Sequence, residues 1–289
     1  MKRIFAVFIL ALLFSSCAHV ENTWHNVTGL FGKNKDEEEA ERLFAAITPE
    51  QEYVIGRAVA ANILSAYRLQ TNRPGLTAYV NQVCYALVLN SPRPDIYNGY
   101  HVAILDSDEI NAFATPGGHI FLTRGLIDCA TSEDTLAAVI AHEIAHIQLG
   151  HGLRAIRNDR FTQVILGGVN SLVSGVAGAF NNAELATTLN ESVNDIIGTM
   201  VTNGYSQTQE FAADSKAMSL LAWAGYSPSS VIEILRMLEQ TQPGKPGGFN
   251  STHPTPRQRI SNIQRHAASF RVSDTRSYRE DRFASITVR

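Results

Sequence analysis

Two histidines four residues apart bracket a glutamate in the run Ala141-His142-Glu143-Ile144-Ala145-His146. On a helix that spacing puts both imidazoles on one face, one turn apart, where they can reach a single ion. Glu143 sits beside the first of them and can take a proton from water activated by that ion. The pattern is short and also fits a buried amphipathic helix with two surface histidines, so it needs a third ligand. A catalytic zinc ion usually takes three protein ligands and keeps one position open. His151 follows His146 by five residues, so one continuous helix would point it elsewhere unless the helix ends first. It also lacks the glycine-bearing spacing of the longer three-histidine motif. Glu210 is the better candidate. In Gln209-Glu210-Phe211-Ala212-Ala213-Asp214, Glu210 and Asp214 are again four apart. One carboxylate could ligate the ion while the other orients a ligand histidine through its free ring nitrogen. Like charges at that spacing repel mildly, a penalty a cation removes.

Such side chains need rigid supports. Ser132 can cap a helix whose first turn carries Glu133 and Asp134, matching the helix dipole. That helix should run to about Gly150, burying Leu136, Val139, Ile140 and Ile144. The second carboxylate pair falls on a helix from Gln207 to Ala224 closed by Gly225, and small Ala212 and Ala213 let the two helices approach closely. Further helices are expected from Thr48 to Leu69, where Thr48, Pro49 and Gln51 form a start signature, and at 76–89, 228–240 and 256–266. Residues 100–105 alternate like a strand, and 112–123 reads as two strands broken at Pro116-Gly117-Gly118. The fold class is α+β: mostly helical, with a small sheet of few strands beside the histidine-bearing helix. A Pro/Gly-rich loop leads to His253, and the stretch after Phe270 carries no structural signal.

The N-terminus speaks of export. Lys2 and Arg3 precede an apolar run from Ile4 to Phe14, then Ser15, Ser16 and Cys17. A basic start, a short apolar core and small residues describe a secretory signal peptide, too short to span a bilayer comfortably. Small residues directly before a cysteine resemble a bacterial lipobox, with Phe14 where leucine is usual, which makes Cys17 the lipidation site. Ala18 after it resembles lipoproteins sorted to the outer membrane. The expected organisation is a signal peptide at 1–16, a lipidated N-terminus and tether at 17–45, a zinc-binding domain at 46–270 and a tail at 271–289. A net charge of −3, with 18% charged residues, offers no basic field for nucleic acid. Cys84 and Cys129 lie in no zinc-binding spacing; separate thiols are expected, with a disulfide as the alternative in an oxidising compartment.

These motifs together resemble a known family. Asn111-Ala112-Phe113-Ala114-Thr115-Pro116-Gly117-Gly118, His142 to His146, Glu210 to Asp214, His253-Pro254 and Arg259-Ile260 occur in the order seen in gluzincin metalloendopeptidases, the family of HtpX and the CaaX prenyl proteases. The periplasmic lipoprotein branch of LoiP and the BepA protease domain is the most similar. The resemblance implies one zinc ion held by His142, His146 and Glu210, with Glu143 as general base and Asp214 behind a ligand. It implies an edge strand at Asn111, Ala112, Phe113 and Ala114 on which an extended substrate is laid by backbone pairing; a core strand or hairpin is the plainer alternative. His253 and Arg259 are candidates for stabilising an oxyanion, though His253 could instead fill the open zinc position and hold the site shut. Thr252 stands where the family commonly has serine. Implied substrates are misfolded or misassembled envelope proteins, in a periplasmic enzyme anchored by lipid, with the outer-membrane assembly machinery as a further partner. The rival is a chaperone-like assembly factor with a latched zinc site. Prenyl-protein processing fits poorly with the export signal. Residues 161–180, uncharged and glycine-rich, read as a hairpin covering the site or touching lipid rather than a span, and His119 and His151 as structural or surface residues.

Overall fold

A computed structural model describes residues 35–156, 183–241, 248–253, 256–267, 269–270 and 275–287. Cys17 and the stretch 161–180 lie outside the described residues. The elements run α1 (Lys35–Ala46), α2 (Pro49–Ala66), α3 (Pro74–Leu89), β1 (His101–Leu105), β2 (Ala112–Ala114), a 3-10 turn at Pro116–Gly118, β3 (His119–Thr123), α4 (Arg124–Cys129), α5 (Glu133–Gln148) and α6 (His151–Arg154). Then come α7 (Ala183–Ile197) with a π-helical turn at Gly198–Asn203, α8 (Gln207–Trp223), α9 (Ser230–Thr241), α10 (Phe249–Thr252), α11 (Pro256–Ala267) and α12 (Arg276–Thr287). The chain divides into residues 1–39 and 40–289. Of the first unit only the opening of α1 is described, where Asp36, Glu37 and Glu38 suit a helix N-terminus. The second unit is the α+β domain expected from the sequence. None of the described helices is long and apolar enough to cross a membrane.

Capping chemistry sets where the long helices begin. Thr48 accepts from the Gln51 N–H while the Gln51 side chain accepts from the Thr48 N–H. Ser132 and Ser206 make the same reciprocal arrangement at α5 and α8, with Thr135 and Gln209 as partners.

The sheet has the order β1-β3-β2. β1 and β3 are parallel with His101 opposite His119, and β2 is antiparallel to β3 with Phe113 opposite Phe121. β2 is therefore an edge strand. Its start is fixed by Asn111 and Thr123, each bonded to the other through Thr123 Oγ1, at 3.0 and 2.9 Å. The turn between β2 and β3 demands glycine: Gly117 has φ of 72°, and a Cβ there would lie 2.6 Å from the Tyr53 Cα. From the other side, a Cβ on Gly56 would sit 1.7 Å from the Pro116 carbonyl oxygen. Helix α2 and this turn thus meet backbone to backbone, and buried Glu52 accepts the Gly117 N–H at 3.1 Å.

Every residue of α5 is buried. It is a central helix enclosed on all sides rather than an amphipathic one, packed by α8, α9, α3, α12 and the edge strand. Burial extends to Glu133 and Asp134 at its N-terminus, which are 0% and 1% exposed. These two carboxylates explain α12, an element with no apolar pattern strong enough to announce it. Arg279 reaches Asp134 through Nε and Nη2, the latter at 3.0 Å, and Arg282 makes a fork onto Glu133. Arg73 adds a bond to the Ile286 carbonyl at 2.9 Å. The tail from residue 271, which carries no structural signal in its sequence, therefore includes a helix clamped onto the core by paired charge. Cys84 and Cys129 are free, and burial pushes the Cys84 thiol up to about 12.

Burial alone would raise the Glu133 carboxyl, but hydrogen bonds from Arg282, Tyr79 and Tyr226 outweigh it and hold the group below the ordinary range. A folded-state pKa below the unfolded one gives stability that is complete above the unfolded value and lost as pH falls through the folded one. Glu133→Gln should lower stability near neutrality by about 1–3 kcal/mol and flatten the loss on acidification below about pH 4. Denaturant midpoints measured across pH test this; an unchanged acid limb in the variant would contradict it.

Candidate metal centre

Helices α5 and α8 lie side by side, and Ala141 and Ala145 on the first and Ala213 and Ala217 on the second are all 0% exposed within one core cluster. Their histidines and carboxylates consequently meet. His142 Nε2 stands 3.0 Å from His146 Nε2 and 3.4 Å from Glu210 Oε2, and His146 Nε2 stands 3.5 Å from Glu210 Oε1. His253, at the end of α10, brings Nδ1 to 2.7 Å from Glu210 Oε1 and 3.5 Å from His142 Nε2. One ligand atom from each of these four residues lies within 4.8 Å of the others, and all four residues are buried. Donors about 2.0–2.1 Å from a tetrahedral ion are separated from each other by roughly 3.3 Å. The spacing fits that geometry, and imidazole with carboxylate is a zinc donor set.

Electrostatics favour a cation there. Burial should raise the Glu210 carboxyl, yet the His253 and Arg259 charges beside it hold it well below the usual carboxylate range. Burial, then the charge of His142, keeps His146 well below the ordinary imidazole value, neutral and ready to give a lone pair. At His142, burial and Arg259 oppose protonation, but bonds to Asp214 and Glu210 outweigh them and push it up to about 9. The carboxylates therefore draw positive charge to the point where the imidazoles converge. Glu210 Oε2 is buried and makes no hydrogen bond among the described residues, with His142 Nε2 and Arg259 Nη1 as its charged neighbours at 3.4 and 3.3 Å.

Behind the ligands, Asp214 Oδ1 lies 3.2 Å from His142 Nδ1, on the ring nitrogen away from the cluster. The placement suits the orienting carboxylate of a metal-bound histidine. Arg259 on α11 is 2% exposed and donates to both Asp214 oxygens, at 2.9 and 2.6 Å, with Nη1 3.3 Å from Glu210 Oε2. The guanidinium bridges the two carboxylates of α8. Glu143 is 2% exposed, and its Oε1 has no hydrogen-bond partner among the described residues. Burial raises its carboxyl against the lowering charges of His253 and His142.

Asn111, Ala112, Phe113 and Ala114 line the edge strand next to α5, their side chains buried. Just before that strand, the Ile110 carbonyl accepts the Phe249 N–H at 2.9 Å, and Glu109 Oε1 accepts the Gly248 N–H at 3.1 Å. The segment carrying His253 is thus moored beside the edge strand, with the His253 ring stacked on Phe249 at 4.1 Å. His119 stacks on Tyr53 and stands apart from the four-residue cluster.

Two neighbours of the cluster escape a reading by spacing. Helix α5 ends at Gln148, Gly150 turns the chain with φ of 65°, and His151 comes back to place Nδ1 2.9 Å from His146 Nδ1. Tyr205, just after Gly204 (φ 74°), stacks on His146 with centroids 4.2 Å apart. The glycines were the available signal, since each permits a turn that returns the next side chain to the site.

Comparison with known proteins agrees with this geometry. The model for Peptidase family M48 matches residues 74–267. The beta-barrel assembly-enhancing protease of Yersinia pestis is 29% identical over 222 residues, covering 74% of this chain and 44% of that protein. The mitochondrial metalloendopeptidase OMA1 of Schizosaccharomyces pombe is 27% identical over 77% of this chain and 63% of its own length. Metalloprotease LoiP of Escherichia coli (strain K12) is 28% identical over 54% of this chain and 58% of itself. The chain thus spans less than half the length of the first of these.

Because an ion held by these donors binds only the folded chain, removing it should destabilise the protein. Chelation should lower the thermal midpoint, and zinc at 1,000 times its dissociation constant should restore about 4 kcal/mol. Arg259→Met removes the guanidinium that bridges two buried carboxylates and should cost about 3–5 kcal/mol in the chelated protein. Calorimetry of both proteins, with and without zinc, measures each effect; a chelation-insensitive midpoint would argue against a metal between α5 and α8.

Proposed function

This chain belongs to peptidase family M48, a family of zinc metallopeptidases, and on that premise we propose that it is a zinc-dependent endopeptidase of the bacterial cell envelope, acting on misfolded or misassembled envelope proteins. One observation carries the reading: two helices bring His142, His146 and Glu210 to a common point, with an unpartnered Glu143 oxygen in the same buried site. His142, His146 and Glu210 hold the ion, Glu143 is the base, and Asp214 and Arg259 fix the ligands. A zinc ion held there would supply a Lewis acid for the scissile carbonyl and would lower the pKa of water toward neutrality. Glu143 takes the proton from the attacking water and returns it to the leaving amine. A raised carboxyl pKa suits that task, since the group must give the proton back.

The edge strand supports a substrate class. Backbone pairing along Asn111 to Ala114 selects for extended chain rather than sequence, which is what unfolded proteins offer. Relatives named as beta-barrel assembly-enhancing proteases support an envelope setting. The signal peptide at 1–16 and lipidation at Cys17 complete the reading: a periplasmic enzyme tethered by lipid to the outer membrane, working beside the assembly machinery there.

His253 favours a second reading of the resting state. Its Nδ1, 2.7 Å from Glu210 and within the ligand cluster, is where a fourth ligand would stand. A site shut in that way would make the protein a chaperone-like assembly factor until His253 leaves.

Glu143→Gln should keep its zinc and lose cleavage of an unfolded protein by on the order of 10²–10⁴-fold, followed by metal analysis and fragment release. Cleavage at wild-type rate in that variant excludes Glu143 as the base. His253→Ala should cleave faster if the residue latches the site and slower if it aids the reaction, read in the same assay. If Glu143→Gln rescues a deletion strain as well as the wild type does, the assembly-factor reading prevails.

A further inference from the structure

We propose that His151 is the positioning residue for His146, accepting the proton at His146 Nδ1 so that Nε2 is fixed as a metal-facing lone pair. The inference rests on the zinc site proposed above. A neutral imidazole carries one proton, so a nitrogen that faces a metal obliges the other nitrogen to be the donor. His146 turns Nε2 toward His142 and Glu210, at 3.0 and 3.5 Å, and turns Nδ1 toward His151. What Nδ1 meets there is the Nδ1 of His151 at 2.9 Å. Two lone pairs cannot face each other at that distance, so one of these nitrogens holds a proton. The metal-facing role of His146 decides which: His146 Nδ1 donates, His151 Nδ1 accepts, and the proton of His151 sits on its Nε2.

The surroundings agree with a dedicated contact rather than filler. His151 is 0% exposed, and its Nε2 has no hydrogen-bond partner among the described residues. A buried donor left unpaired is unfavourable, so packing alone would be better served by an aliphatic side chain. The backbone around it is tightly constrained. A Cβ at Gly150 would fall 2.6 Å from Leu43 Cδ2, and one at Gly152 would fall 3.3 Å from the Pro116 ring. Tyr205 closes the pair, stacked on His146 at 4.2 Å and tilted to His151 at 5.7 Å. The two ligand histidines are then treated unequally. His142 is backed by the Asp214 carboxylate and His146 by an uncharged ring, which holds His146 without adding a further negative charge to a site already containing Glu143, Glu210 and Asp214.

The test is the zinc dissociation constant of the full chain by chelator competition, for the wild type and three variants. His151→Leu keeps bulk and removes the acceptor, and should weaken zinc binding by about 10–100-fold. His151→Asn sets an oxygen where Nδ1 was and should recover most of that loss; His151→Gln sets its oxygen where Nε2 was and should behave like leucine. Leucine binding as tightly as the wild type, or asparagine binding as weakly as leucine, overturns the proposal. Should the leucine protein not fold, as judged by circular dichroism, the asparagine–glutamine comparison decides on the same terms. A wild-type chain that binds no zinc sinks the metal-site reading itself, an outcome distinct from zinc binding indifferent to residue 151.

Discussion

The structure is organised around a place where ionisable groups of both signs are brought together out of water. Two imidazole nitrogens 3.0 Å apart and the Glu210 carboxylate meet between α5 and α8, all buried. A buried charge without a partner is among the most destabilising features a fold can carry. Much of the neighbouring sequence is intelligible as an answer to that difficulty. Alanines at the helix contact bring the donors close enough to share one ion. Arg259 supplies the one fixed positive charge in the cluster and divides it between Asp214 and Glu210. Neutral His151 backs the second ligand where another carboxylate would add to the repulsion.

The same logic recurs at the far end of α5. A helix buried along its whole length has no wet face on which to place its capping acids, so Glu133 and Asp134 are buried with it. Tyr79, Tyr226, Arg282 and Arg279 then surround them. One helix thus carries two buried electrostatic centres, one at its N-terminus and one at His142 to His146. Each is neutralised by elements distant in sequence, α12 in the first case and α8 with α11 in the second. The consequence is mechanical: α5 cannot slide or rotate without breaking charge-assisted bonds at both centres, and the ligand geometry inherits that rigidity.

What could be read in advance divides along the same line. The helices, their caps and the broken strand pair are local, written in Thr48, Ser132, Ser206 and Pro116-Gly117-Gly118, and the structure has them within a few residues of their expected ends. Glu210 and Asp214 were legible because a helical period puts them on one face. Helix α12 was not, since its docking depends on arginines meeting acids about 145 residues earlier, a pairing no periodicity records. Arg259 was legible as part of the site, but its bridge between Asp214 and Glu210 was not, because sequence names the charge and not the direction of its fork. His151 was read as structural or surface because a helix continuing past His146 would point it elsewhere; Gly150, at φ of 65°, ends the helix and turns it back toward His146.

The position of His253 ties the two proposed states of the protein together. Its segment is moored by the Phe249 N–H on the Ile110 carbonyl and by Gly248 on Glu109, immediately before the strand on which a substrate would be laid. A peptide pairing along Asn111 to Ala114 would run into this mooring if it extended toward the start of the strand. Edge pairing gains hydrogen bonds residue by residue, whereas the mooring of residues 248–249 is confined to the approach to this strand, at Glu109 and Ile110. A long unfolded chain could therefore displace the segment where a short peptide could not, drawing His253 away from Glu210 as it binds. Under the proposed reading, the choice between a closed and a working site falls to the length of extended chain that the substrate presents, which is itself a measure of how unfolded that substrate is.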